Sequence, residues 1–159
     1  MLDAVGVDTN IWEYAFCEPR IAGGRELREE ARSFLDALLA EDSTAIVVSD
    51  YQVCETLEVM RKLGVASDTR RSVYDLFRSG RCRLVPCGIE VVAEAFGLSG
   101  DSGIHMYDYM VALPLRSLVQ VIYTADEHFG HAHFQGIAAI RNPLSWAMVE
   151  GRVPQRKPR

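Results

Sequence analysis

LDAVGVD at residues 2–8 and QVIYTAD at residues 120–126 are short apolar runs that each end in an aspartate. A short, largely β-branched run bounded by polar residues suits a strand covered on both faces. TAIVVS (44–49), CRLVP (82–86) and GIAAI (136–140) have the same character. Helical patterns lie between them. Leu27, Ala31, Phe34, Leu35, Leu38 and Leu39 form an apolar stripe across residues 24–42. A further helix is expected to start at a Ser49 or Asp50 cap and stop at Gly64, and another to run from Ser67 or Asp68 to near Gly80. Residues 89–98 read as a helix ended by a GLSGDSG loop, and residues 104–119 as a helix kinked at Pro114, which lacks a backbone donor. Strands alternating with helices need crossover connections, which make a sheet parallel. The expected fold is therefore α/β, an α/β/α sandwich around a parallel sheet of about five strands.

The chain has 159 residues, 48% hydrophobic and 25% charged, which excludes a disordered tail, a fibre or a coiled coil and suits one domain with its own core. No apolar run approaches the ~20 residues needed to cross a bilayer. The opening MLDAVGVDTN carries Asp3 and Asp8 and no basic residue, unlike a secretory signal. Four cysteines do not make a disulfide scaffold at this length. The expectation is a cytoplasmic protein with reduced thiols, Cys17, Cys54, Cys82 and Cys87 being buried rather than metal-bound. Trp12, Tyr14, Phe16 and Trp146 read as core or dimer-packing aromatics. Residues 1–151 are expected to form the domain. RVPQRKPR, residues 152–159, reads as a basic disordered tail with little to bury.

The net charge is −5 and the isoelectric point about 5.4, so bulk charge does not indicate nucleic-acid binding. Its distribution is uneven. Arg61, Lys62, Arg70, Arg71, Arg78, Arg81 and Arg83 face only Asp68 and Asp75 across residues 61–83. That stripe is either a solvated helix face or a phosphate-binding rim.

Ligands of open parallel sheets bind beyond the carboxyl ends of the strands. Asp8 and Asp126 stand at two such ends, although aspartate there also serves as a helix cap. Asp108 is the sole charged residue of IHMYDYMVALPL (104–115) and requires a partner: an arginine, a metal or a proton. Glu55 lies at the edge of a stripe made by Val53, Leu57 and Met60, with Glu58 as its competitor. Several carboxylates without interleaved cysteine or histidine favour Mg²⁺ or Mn²⁺. His128, His131 and His133, just after Asp126, read as a water-facing loop in preference to a zinc site.

VDTNIW (7–12), VCETLEVM (53–60), YDYMVAL (107–113) and YTADEHF (123–129) occur in this order, and the last fits a T-x-D-x-x-F pattern through Thr124, Asp126 and Phe129. With these four pieces the chain resembles a PIN-domain nuclease, most closely the toxin subunit of a VapBC-type toxin–antitoxin pair. The resemblance implies a Mg²⁺- or Mn²⁺-dependent endoribonuclease with Asp8, Glu55, Asp108 and Asp126 as its acidic quartet. Asp8 and Asp108 would be direct ligands, and Asn10 and Thr124 would position the quartet. It also implies a homodimer and an antitoxin partner. The RNA would approach along Arg61, Lys62, Arg70, Arg71, Arg78 and Arg81. Tyr109 departs from the family, which commonly has a small residue there. Two other readings are a PIN-like RNA-binding scaffold without catalysis and a receiver-type signalling domain. The second needs a lysine after a late strand, whereas the only lysines are Lys62 and Lys157. A haloacid-dehalogenase-type phosphatase needs an aspartate at position 10, where Asn10 stands.

Overall fold

The computed structural model describes residues 3–148 and 154–158. The elements run β1 (Asp3–Val7), α1 (Thr9–Phe16), α2 (Gly24–Ala40), β2 (Thr44–Ser49), α3 (Asp50–Lys62), α4 (Ser67–Phe77), β3 (Cys82–Val85), α5 (Ile89–Ser102), α6 (Met106–Ala112), β4 (Val121–Tyr123), α7 (Ala132–Gln135), β5 (Ala139–Arg141), β6 (Trp146–Ala147) and β7 (Gln155–Arg156). β1 to β5 form a fully parallel sheet in the order β3-β2-β1-β4-β5. The expected α/β fold is thus present. Among the described residues, no helix is long and apolar enough to cross a membrane.

Strand alternation divides the core in two. Ile46 and Val48 point to a cluster with Trp12, Leu27, Leu35, Met60 and Phe77 from α1 to α4. Val47 points the other way, to Ala95, Tyr109, Leu115, Phe129 and Phe134. Ile46, Val47 and Val48 are all fully buried, as a central parallel strand requires. Gly6 serves the same packing, since a Cβ there would lie 2.6 Å from Leu115 Cδ1.

Ser49 caps α3, its hydroxyl accepting from the Gln52 N–H. Three local expectations change. The GLSGDSG stretch continues α5 to Ser102. Gly97 and Gly100 face open space, the Ser102 hydroxyl donates to the Leu98 carbonyl, and the helix ends at Gly103 with φ 73°. An internal glycine costs about 1 kcal/mol but does not stop a helix by itself. Pro114 does not kink a long helix: α6 ends at Ala112, and Pro114 enters a 3-10 turn over Leu113–Leu115. The tail is not wholly without structure, because β7 pairs antiparallel with β6 and Arg156 lies over the Trp146 ring. Arg152 and Arg159 fall outside the described residues.

Trp12, Tyr14 and Trp146 are buried in the core, and Phe16 is partly buried against it. All four cysteines are free, but Cys54 is exposed on the solvent face of α3 rather than buried, and Cys82 and Cys87 are intermediate.

Candidate metal centre

Asp8 directly follows β1 and caps α1. Its Oδ1 accepts from the Thr9 N–H at 2.7 Å, and its Oδ2 accepts from Asn10 Nδ2 and from the Thr124 hydroxyl, each at 2.7 Å. Thr124 Oγ1 in turn accepts from Asn10 Nδ2 at 3.2 Å and from the Asp126 N–H at 2.9 Å. Asn10 Oδ1 accepts from the Ala125 N–H at 3.2 Å. Asn10 and Thr124 therefore lock the ends of β1 and β4 together. Asp126 caps a 3-10 turn over Glu127–Gly130, accepting from the His128 N–H at 2.8 Å. Each aspartate is a helix cap and a member of the cluster at once.

Glu55 reaches the same place from the second turn of α3. Its carboxylate accepts from the Thr9 hydroxyl at 2.5 Å and the Tyr51 hydroxyl at 3.1 Å. Glu58, its competitor, is instead bonded to Arg61 on the exposed side of the helix, at 2.7 Å. Asp108, in the first turn of α6, lies across from Asp126 with His128 between them.

Burial pushes the Asp8 carboxyl well above its ordinary value against the Thr124 hydrogen bond, and the charges of Asp108, Asp126 and Glu55 raise it further. Asp108 rises to about 7, first through burial and then through the charge of Asp126, with His128 pulling it back. Burial also raises Asp126 and Glu55. No arginine or lysine among the described residues offsets any of the four. Four acids so placed repel one another and favour either protons or a bound cation.

The donor set fits a divalent ion. Asp108 Oδ2 and His128 Nδ1 are buried without a hydrogen-bond partner. Among the described residues, Asp108, Asp126 and His128 offer ligand atoms that all lie within 4.8 Å of one another. Asp8 stands outside that group but near enough for the charges of Asp108, Asp126 and Glu55 to act on it. The sequence reading of carboxylates without histidine is corrected at this point, because His128 stands among them. The three histidines do not act together: the Nδ1 of His131 caps α7, and the Nδ1 of His133 shares a 3.0 Å hydrogen bond with the Tyr109 hydroxyl.

Sequence reasoning passed over three neighbours of the site and read a fourth as water-facing. Thr9 and Tyr51 hold Glu55, and Tyr51 is readable as the residue one helical turn before it. Glu13, one turn after Thr9 on α1, has its carboxyl raised by burial and by the charge of Glu55. His128, read with His131 and His133 as part of a water-facing loop, instead turns its imidazole towards Asp108 and Asp126.

The basic residues are engaged elsewhere. Arg61 and Lys62 pair with Glu58, Arg71 pairs with Asp75, and Arg78 lies 5.5 Å from the Tyr74 ring centre. Arg70 donates through Nε to the Val65 carbonyl at 3.2 Å and, with Arg71, lines a shallow groove beside Leu57 and Tyr74. Arg81 leaves the expected rim. Its guanidinium donates to the carbonyls of Glu41 at 2.5 Å and Thr44 at 3.4 Å, and pairs with Asp42, tying the start of β3 to the α2–β2 turn.

No family model and no curated relative matches the sequence. Solved structures do match it over most of the chain. The VapC20 toxin of Mycobacterium tuberculosis, described as cleaving the sarcin–ricin loop, shares 16% identity over 84% of this chain and 98% of that one, with a TM-score of 0.64. VapBC2 from Rickettsia felis, bound to a DNA fragment from its promoter, shares 16% identity over 87% and 98%, with a TM-score of 0.58. FitAcB from Neisseria gonorrhoeae shares 17% identity over 87% and 97%, with a TM-score of 0.53. The protein therefore has the fold of the PIN-domain toxins of VapBC-type toxin–antitoxin systems.

Proposed function

We propose that this protein is a Mg²⁺- or Mn²⁺-dependent endoribonuclease and the toxin of a toxin–antitoxin pair. The observation that carries the reading is the convergence of Asp8, Glu55, Asp108 and Asp126, drawn from four separate elements, with no arginine or lysine among them in the described residues. Asp108 and Asp126 would hold the ion, joined by Asp8. A divalent ion bound there would supply an activated water for in-line attack on phosphorus and positive charge for the leaving oxygen. Thr124 and Asn10 keep the Asp8 carboxylate in one orientation, so it is not rebuilt when substrate arrives. Thr9 and Tyr51 do the same for Glu55, which in its ionised form would accept a proton from the attacking water. The products would carry 5′-phosphate and 3′-hydroxyl ends.

Arg70 and Arg71 are the cations best placed to follow an RNA backbone, since Arg61 and Lys62 already share Glu58. An antitoxin partner is supported by a groove of about 740 Å³ between the end of α1 and the α3–α4 turn. It is lined by Tyr14, Cys17, Ile21, Leu63, Val65 and Met148, and Glu13 and Tyr14 join it to the carboxylates. Self-association is supported by Ile89 and Phe96 on α5, whose apolar side chains are 72% and 73% exposed.

The test is Asp8→Asn in the purified full chain. RNA cleavage with Mg²⁺ or Mn²⁺ should be lost while the circular-dichroism spectrum is kept, and growth arrest on induced expression should be relieved. Undiminished cleavage by the variant sinks the assignment.

A further inference from the structure

The His128 imidazole Nδ1 faces two carboxylates at ion-pair range but makes no well-formed hydrogen bond. That atom lies 3.5 Å from Asp126 Oδ1 and 3.7 Å from Asp108 Oδ2, yet it is buried without a hydrogen-bond partner, as is the Asp108 oxygen it faces. A buried polar atom without a partner costs about 1–3 kcal/mol, so two facing each other ask for something between them. The ring is not there by chance of a loose loop. The His128 N–H donates to Asp126, and the next residue, Phe129, is fully buried and stacked on Phe134 with ring centres 4.4 Å apart. The side chain keeps 26% of its surface open, which leaves a route for an ion.

We infer that His128 is a further protein ligand of the ion held by Asp108 and Asp126, bound through Nδ1, and that it biases the site towards Mn²⁺ over Mg²⁺. This rests on the metal-dependent reading above. Mg²⁺ keeps to oxygen donors and sheds water reluctantly, whereas Mn²⁺, although it also takes carboxylates, is a transition ion that accepts an imidazole nitrogen beside them. An all-carboxylate site lacks that discrimination. The other two histidines of the stretch do not supply it, because His131 caps α7 and His133 bonds Tyr109.

The experiment is done on the full chain freed of metal by chelation. Mn²⁺ binding is followed by electron paramagnetic resonance and Mg²⁺ binding by calorimetry. The Mn²⁺ form of protein labelled with [¹⁵N]histidine is examined by electron spin-echo envelope modulation. The wild type should show coupling to an imidazole ¹⁵N, and His128→Asn should abolish it. The same variant should weaken Mn²⁺ by roughly tenfold or more and leave Mg²⁺ little changed. His128→Gln supplies the comparison if the asparagine variant does not fold, and the wild-type spectrum decides by itself whether an imidazole is bound. Mn²⁺ bound to the wild type without nitrogen coupling, or equal losses for the two ions, overturns the role of His128. If that Mn²⁺ is still lost in Asp108→Asn, the carboxylate site survives. Failure of the wild type to bind either ion overturns the metal reading itself.

Discussion

Replacing Asp108 by asparagine should stabilise the metal-free protein at pH 8 while abolishing its metal binding. The Asp108 carboxyl is raised from 3.8 to about 7, chiefly by burial and then by Asp126. Below the unfolded value it is protonated in both states and costs nothing. As pH rises from about 4 to about 7, the unfolded chain ionises freely and the folded one resists, so the folded state loses stability. At ~1.4 kcal/mol per pH unit, the penalty at pH 8 reaches about 4 kcal/mol. Asparagine has the same shape and no charge, so it removes that penalty. Urea denaturation in EDTA should show Asp108→Asn more stable than wild type by up to about 4 kcal/mol at pH 8, with the gap closing towards pH 4. Mn²⁺ at about 100 times its dissociation constant should restore roughly 2.7 kcal/mol to the wild type and nothing to the variant. A variant no more stable than wild type at pH 8, or a gap equal at both pH values, would refute the idea that these carboxylates strain the empty fold.

Thr124→Val keeps the volume but removes the hydroxyl shared by Asp8, Asn10 and Asp126. It should cost about 1–3 kcal/mol in thermal unfolding and lower RNA cleavage, whereas Thr124→Ser should recover both. Arg81→Ala should destabilise the fold by about 1–3 kcal/mol and leave RNA affinity unchanged, because its donors serve backbone carbonyls. The pair Arg70→Ala and Arg71→Ala should instead weaken RNA binding and flatten its salt dependence in a filter-binding assay. Gly6→Ala should lower stability by about 1–3 kcal/mol in chemical denaturation, since the new methyl meets Leu115 Cδ1 at 2.6 Å.

Much of this protein was written in local pattern. Four of the five sheet strands lie within the apolar runs that announced them and β5 overruns its own by one residue, Arg141; the central strands are the clearest, because a strand covered on both faces must be apolar throughout. The aspartates closing LDAVGVD and QVIYTAD were legible for the same reason, since a carboxylate ends a buried run. Asp108 was legible as an isolated charge in an apolar helix. The apolar pattern alone did not distinguish Glu55 from Glu58, which lie on one helix only three residues apart, and only the family resemblance named Glu55. Tertiary structure separates them, because α3 packs with one edge towards the start of α1, where Thr9 meets Glu55, and leaves the other edge to Arg61. It likewise took Arg81 out of a basic stripe and brought His128 into an acidic cluster. Both outcomes depend on groups distant in sequence, carbonyls near residue 42 and a carboxylate twenty residues upstream, and no short-range periodicity encodes a contact of that kind.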